Sequence, residues 1–274
     1  MNQHMYRLRL IIAVMCAMAL AGCSVNNVKK DESLKKIFDF EGVDGCFALY
    51  DNGRGEFTLY NLNRDTTRYL PASTFKIVNS LIAIETGRVR DDSTIIPWDG
   101  IVRDYANWNQ NLSLATAFKL SSVPHFQQIA RWIGRDTMQH WLDTLAYGNH
   151  KIGNRVDSFW LDNSLKISPD EQLGLVKKLY FHQLPFQKRS QDIVKNMMLQ
   201  EANTLYELSY KTGWGHTPDN HALGWTVGWI IENNHPYFFV LNIESANPQA
   251  NIPSIRKNVL EKILKQLGFF QGKM

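Results

Sequence analysis

Strand-forming sequence stands at both ends of this chain of 274 residues, and helix-forming sequence fills the middle. Residues 45–50 and 56–61 are short β-prone runs around Asp51-Asn52-Gly53, a strong hairpin signal. After Leu205 three further runs follow in succession: Glu207–Thr212, Leu223–Glu232 and Tyr237–Glu244. Asn233-Asn234-His235-Pro236 is the expected turn between the last two. Between these groups, Phe126–Ile133, Thr137–Leu145, Pro169–Tyr180 and Gln191–Glu201 show helix-compatible spacing, punctuated by Gly, Pro and Asn. Ile255–Leu267 closes the chain as an amphipathic helix. The pattern predicts an α+β fold: a central antiparallel sheet formed by N- and C-terminal strands, flanked by helices, with an inserted, mostly helical subdomain.

The first residues have a different character. Arg7 and Arg9 precede Leu10–Leu20, an apolar stretch of eleven residues that suits a signal-peptide core and is short for a bilayer span. It ends in Leu20-Ala21-Gly22-Cys23, which is similar to a bacterial lipoprotein cleavage box. Two readings stand: cleavage before Cys23 with lipid on its thiol, or an ordinary signal peptide that contains a cysteine. The expected organisation is a lipoprotein signal peptide over residues 1–22, a polar, lysine-rich tether over 23–36 and one domain over 37–274. Export to the periplasm follows, with Cys23 as a lipid anchor to a bacterial membrane.

Formal net charge is +4, part of which is lost with Arg7 and Arg9. The remainder is too weak and too mixed to point to nucleic acid. Cys16 would leave with the leader, and Cys23 would carry lipid. Cys46 is then alone in the apolar run Cys46-Phe47-Ala48-Leu49-Tyr50, so no intramolecular disulfide is expected. The eight histidines show neither His-x-His nor His-x-x-x-His spacing, which argues against a metallo-hydrolase and for no metal site.

Chemistry enters with Ser-x-x-Lys. On a helix, residues three apart share a face, so the lysine nitrogen can reach the serine hydroxyl. A serine hydroxyl is a weak nucleophile and needs such a base. The motif occurs three times, at Ser33/Lys36, Ser73/Lys76 and Ser254/Lys257. The first lies in the polar tether. The third opens the last helix, where a capping serine and a solvated lysine account for it. Ser73 differs: it follows Pro71 and begins a helix to Gly87 that is apolar on most of its circumference. Lys76 sits between Phe75 and Ile77. Either it snorkels to solvent, or it is buried and needs compensation. Lys211-Thr212-Gly213 lies on a predicted strand. It offers a cation, a hydroxyl for a substrate carboxylate and room for close backbone approach.

Ser-x-x-Lys followed by Lys-Thr-Gly is the signature of serine β-lactamases and penicillin-binding proteins. Between the two there is no Ser-x-Asn, but there is Ser121-Ser122-Val123. Ser-x-Val in that place resembles the class D β-lactamases, the oxacillinase group. Tyr147-Gly148-Asn149, Phe159-Trp160-Leu161 followed by Leu165-Lys166-Ile167-Ser168, and Trp225-Thr226-Val227-Gly228 resemble the same family. The resemblance runs from about Gly45 to Leu267, nearly the whole mature chain.

The resemblance implies hydrolysis of the β-lactam amide bond of penicillin-type antibiotics through an acyl-enzyme on Ser73, and with it antibiotic resistance. It implies no cofactor beyond carbon dioxide, bound as N6-carboxylation of Lys76, which would act as general base. Only a neutral amine attacks carbon dioxide, and an apolar pocket favours the neutral amine. Phe75, Val123 and Leu161 would supply that pocket, and Trp160 would donate its indole N–H to the carbamate. Ser121 would relay a proton to the leaving nitrogen with support from Lys211. The backbone N–H groups of Ser73 and Trp214 would form an oxyanion hole. Thr212 and Arg256 would meet the substrate carboxylate, though Arg256 also reads as a solvated helix residue. The loop from Trp214 to His221 and the side chains around Trp108 and Val123 would set substrate range. The chain would act as a monomer or a homodimer. The nearest rivals are a penicillin-binding transpeptidase or carboxypeptidase, which deacylates slowly with β-lactams, and a β-lactam sensor domain, which stays acylated.

Overall fold

The computed structural model describes residues 27–273. The expected signal peptide, its cleavage box and Cys23 lie outside the described residues. Nine strands are β1 (Val28–Lys30), β2 (Asp44–Asp51), β3 (Glu56–Tyr60), β4 (Ile95–Ile96), β5 (Leu112–Ser113), β6 (Leu199–Ala202), β7 (Tyr206–His216), β8 (Ala222–Glu232) and β9 (His235–Ser245) among those residues. The helices are α1 (Lys35–Glu41), α2 (Leu62–Asp65), α3 (Lys76–Glu85), α4 (Leu114–Lys119), α5 (Val123–Ile133), α6 (Arg135–Thr144), α7 (Pro169–Tyr180), α8 (Lys188–Met198) and α9 (Ile252–Gln266).

Seven strands form one sheet in the order β1-β3-β2-β9-β8-β7-β6. The ends of the chain meet where β2 pairs with β9, from Asp44 opposite Glu244 to Asp51 opposite Tyr237. The expected α+β architecture is therefore present. The sheet is antiparallel except at its edge, where β1 runs parallel to β3. Side chains alternate between two cores, as the period of two along a strand requires. Phe47, Phe239, Leu241 and Ile243 pack with α1 and α9 through Phe38, Val259 and Ile263. Ala48, Phe238 and Val240 face the helical block with Val78, Leu81 and Leu173. Burial on both faces explains why β8 reads as a nearly continuous apolar run. Its hairpin to β9 turns on Asn233 and Asn234, with φ of 50° and 61°. Such a turn requires the left-handed region that asparagine tolerates. His235 and Pro236 belong to β9 itself. Pro236 lies beyond the last residue paired with β2, so its missing N–H removes no bond on that side.

Three expectations are corrected. The tether does not reach residue 36: Val28–Lys30 form an edge strand, and Leu34 is buried with Ile37 and Phe38 beneath α9. Of the lysines that suggested a tether, Lys29 and Lys30 sit on the exposed sheet edge, which is held by backbone bonds and needs no apolar side chains, and Lys35 and Lys36 open α1. The helix expected over Gln191–Glu201 ends at Met198, and Leu199–Ala202 become the opposite edge strand, exposed throughout. The helix expected to begin at Ser73 begins as a tighter turn, a 3₁₀ segment over Ala72–Phe75, and becomes α-helical from Lys76.

Candidate active site

That tighter turn matters to the chemistry. In a 3₁₀ segment residues i and i+3 eclipse, so the side chain of Lys76 is aligned over that of Ser73. Lys76 Nζ is 2.7 Å from Ser73 Oγ. Lys76 is fully buried, so it does not snorkel, whereas Ser73 retains 9% exposure. Burial alone pulls the Lys76 pKa down to about 7, so a large neutral fraction exists near neutrality.

Neighbouring segments clamp the turn. Ala72 has φ 48°, a strained conformation for a residue with a Cβ. Its N–H donates to Trp160 O at 3.1 Å, and Tyr69 exchanges two backbone bonds with Ile167. Trp225 Nε1 donates to Leu70 O at 2.9 Å, which accounts for the tryptophan of the Trp-x-x-Gly strand. From the sheet side, a Cβ on Gly213 would stand 2.9 Å from Pro71 O. Glycine is needed there so that β7 can lie against the backbone of the nucleophile turn. This contact lays β7 against the turn that carries Ser73.

Ser121 enters from the helical block. It follows Leu120, the residue that caps the C-terminus of α4, and has φ 55°. Its N–H bonds Phe118 O at 3.1 Å, and the Ser122 N–H bonds Ala117 O at 2.9 Å. These are the two bonds of a Schellman motif, whose left-handed position is usually glycine. Lys211 Nζ donates to Ser121 Oγ at 2.8 Å. Burial, then the charges of Lys76 and Arg256, hold the Lys211 pKa well below that of an ordinary lysine.

The Lys-Thr-Gly motif is split by strand alternation. Lys211 and Gly213 are buried toward Ser121 and the nucleophile turn. Thr212 instead lines a cleft with Tyr210, Arg256 and Leu260. Arg256 is not a solvated helix arginine: its guanidinium donates to Gly213 O at 2.6 Å, and burial lowers its pKa to about 10, so it remains charged near neutrality. Trp214 is 41% exposed at the rim. Beyond Ser209, β7 has no pairing with β6.

Phe75 stacks on Trp160 with ring centroids 5.4 Å apart, and both are fully buried. Trp160 Nε1 is a buried donor without a protein partner. Such an N–H is costly unless an acceptor is supplied. Leu161 packs half-buried against the same core, and Val123 opens α5. Asn149 explains the Tyr-Gly-Asn motif: its Nδ2 donates to Ser164 O, and its Oδ1 accepts from the Lys166 N–H, each at 2.9 Å. A Cβ on Gly148 would collide with Lys166 O. The motif thus pins the segment that carries Trp160.

Sequence reading passed over Ser122 and His125, a buried pair whose Oγ and Nδ1 are 2.7 Å apart. Their i, i+3 spacing across the start of α5 was the available signal.

A model of the penicillin-binding protein transpeptidase domain matches residues 35–265. The chain is 41% identical over 238 residues to β-lactamase OXA-48 of Klebsiella pneumoniae, covering 87% of this chain and 89% of that protein. Its fold is similar to that of FUS-1, a class D β-lactamase from Fusobacterium nucleatum subsp. polymorphum, with TM-score 0.84 and 34% identity over 89% of this chain and 100% of the other. It is also similar to the C-terminal domain of the Bacillus licheniformis BlaR penicillin-receptor, with TM-score 0.83 and 31% identity over 89% of this chain and 97% of that domain.

Proposed function

The chain belongs to the class D serine β-lactamases, and on that premise we propose that it hydrolyses penicillin-type β-lactams through an acyl-enzyme on Ser73, conferring antibiotic resistance. The observation that carries the assignment to Ser73 is the buried Lys76 nitrogen 2.7 Å from its hydroxyl. A neutral amine in that position takes the Ser73 proton as the oxygen attacks the lactam carbonyl. The N–H groups of Ser73 and Trp214 receive the developing oxyanion. Ser121 passes a proton to the leaving nitrogen and is re-supplied through Lys211. Thr212 and Arg256 hold the substrate carboxylate from the far side of β7. The reaction needs no metal ion.

Carboxylation of Lys76 fits the residues around it. The amine is poised near neutrality, and Trp160 Nε1 is an unpaired buried donor suited to an anion. Carboxylated, the side chain would supply an anionic oxygen acceptor that is ionised near neutrality, able to take a proton during acylation and to activate the hydrolytic water. Phe75, Val123 and Leu161 would keep that environment apolar.

The basic and apolar leader and the Leu20-Ala21-Gly22-Cys23 box support export and lipid anchoring at Cys23. No helix among the described residues is long and apolar enough to cross a membrane.

Similarity to the penicillin-receptor domain favours a second reading, a sensor that acylates and stops. A time course with a chromogenic cephalosporin in large excess, bicarbonate present, separates them. Sustained turnover is expected. A burst of one equivalent followed by arrest would replace the hydrolase reading with the sensor.

A further inference from the structure

Ser122 and His125 are buried beside the site, and the chemistry above does not use them. His125 Nε2 is 3.0 Å from Gln110 O, and Nδ1 is 2.7 Å from Ser122 Oγ. A carbonyl only accepts, so Nε2 carries the ring proton. Nδ1 of the neutral ring is then bare, and the Ser122 hydroxyl donates to it. Burial favours that neutral ring.

The chain of bonds runs from Ser122, the neighbour of Ser121, to the segment that bears Trp108. That segment has a second tie, from Trp108 Nε1 to Leu120 O at 3.2 Å. The two ties bracket Ser121. Ser121 sits at φ 55°, where a serine is strained and a relaxed backbone would carry its hydroxyl elsewhere. An anchored Ser122 side chain opposes that relaxation.

We propose that His125 is a positioning residue: by accepting from Ser122 and donating to Gln110, it holds Ser121 in the left-handed conformation that aims its hydroxyl at Lys211. The proposal rests on the reading of Ser121 as proton donor to the leaving nitrogen. That proton is needed when the lactam C–N bond breaks, so acylation, and not hydrolysis of the ester, is the step that responds.

Acylation and deacylation rates per active site are measured by stopped flow with a penicillin for the intact enzyme and for Ser121→Ala, Ser122→Ala, His125→Leu, His125→Gln and the double variant Ser122→Ala/His125→Leu. His125→Leu should slow acylation roughly 10- to 100-fold while deacylation is kept. His125→Gln, which can still accept from Ser122 and donate to Gln110, should recover part of the loss. The double variant should be no slower than His125→Leu, because the two residues act in series. If Ser121→Ala slows acylation and His125→Leu does not, or slows both steps equally, the proposal is overturned. If Ser121→Ala itself leaves acylation unchanged, the reading of Ser121 fails instead. Should His125→Leu not fold, Ser122→Ala, which removes one hydroxyl, makes the same comparison.

Discussion

Lys76 and Lys211 are two buried lysines in one site, each bonded to one of its serines, and burial, then the charge of the first, depresses the pKa of the second. Two ammonium groups so placed oppose one another. If Lys76 carries a carbamate, the sign reverses and the Lys211 ammonium gains a counter-charge. The pair is thus better balanced in the carboxylated enzyme than in the bare one.

Activity should therefore fall as pH drops below about 7, where Lys76 takes up a proton and can no longer hold carbon dioxide. Raising the pH and adding bicarbonate should restore it. Rate profiles at several bicarbonate concentrations check this; an acid limb independent of bicarbonate would assign the loss to another group.

Lys76→Met should lose activity by roughly 10³-fold or more, as removal of a catalytic base does. It should also be more stable. The folded Lys76 pKa lies near 7 against an ordinary 10.5, so the unfolded chain binds the extra proton between those values and stability rises with pH across that window. An apolar side chain removes that cost, so the gain in Tm should be largest near pH 7 and vanish above pH ~10.5. Thermal melts across that range test it.

Trp160→Phe keeps the stack on Phe75 and removes the unpaired N–H. It should weaken bicarbonate activation by roughly tenfold, the value of about one charge-assisted hydrogen bond. The carbamate carbon signal in ¹³C NMR of enzyme in labelled bicarbonate should fall in parallel. An undiminished signal would show that Trp160 does not hold the group.

Gly213→Ala places a Cβ against Pro71 O, which is backbone and cannot swing aside. The strand and the nucleophile turn must separate, at a cost of about 1–3 kcal/mol in stability. The rate constant kcat should fall more than the shift in Tm alone would suggest, because the oxyanion donors of Ser73 and Trp214 part. Parallel melts and steady-state kinetics decide.

Asp65 is a buried carboxyl whose pKa burial, and then Asp170, raise to about 7, and its Oδ1 has no partner. The unfolded value is near 4, so the folded state binds the extra proton between those values. Its contribution is present in acid and is lost as pH rises toward 7. Asp65→Asn should remove that decline and raise stability by about 1–3 kcal/mol at pH 8, with little change at pH 4. Melts of both proteins at the two pH values measure the difference.

Period and punctuation made the strands and most helices legible. β8 and β9 were readable because both-face burial makes long apolar runs, and the Asn233-Asn234 turn because asparagine tolerates positive φ. The edge strands β1 and β6 were not. Lys29, Lys30 and Glu201 are polar residues held in the sheet by backbone bonds, which leave no periodicity to read.

The site divides in the same way. Local spacing in the sequence determined that Ser73 could meet Lys76, and the order of the motifs marked Ser121, Lys211, Trp160 and Arg256 as partners. Only the tertiary structure decided that Lys76 is buried rather than snorkelled, that Arg256 is bonded to Gly213 O, that Gly213 makes room for the nucleophile turn, and that Ser122 leans on His125. Each depends on which distant segments exclude water from a side chain. Desolvation and close backbone approach are properties of packed neighbours, and a linear pattern does not contain them.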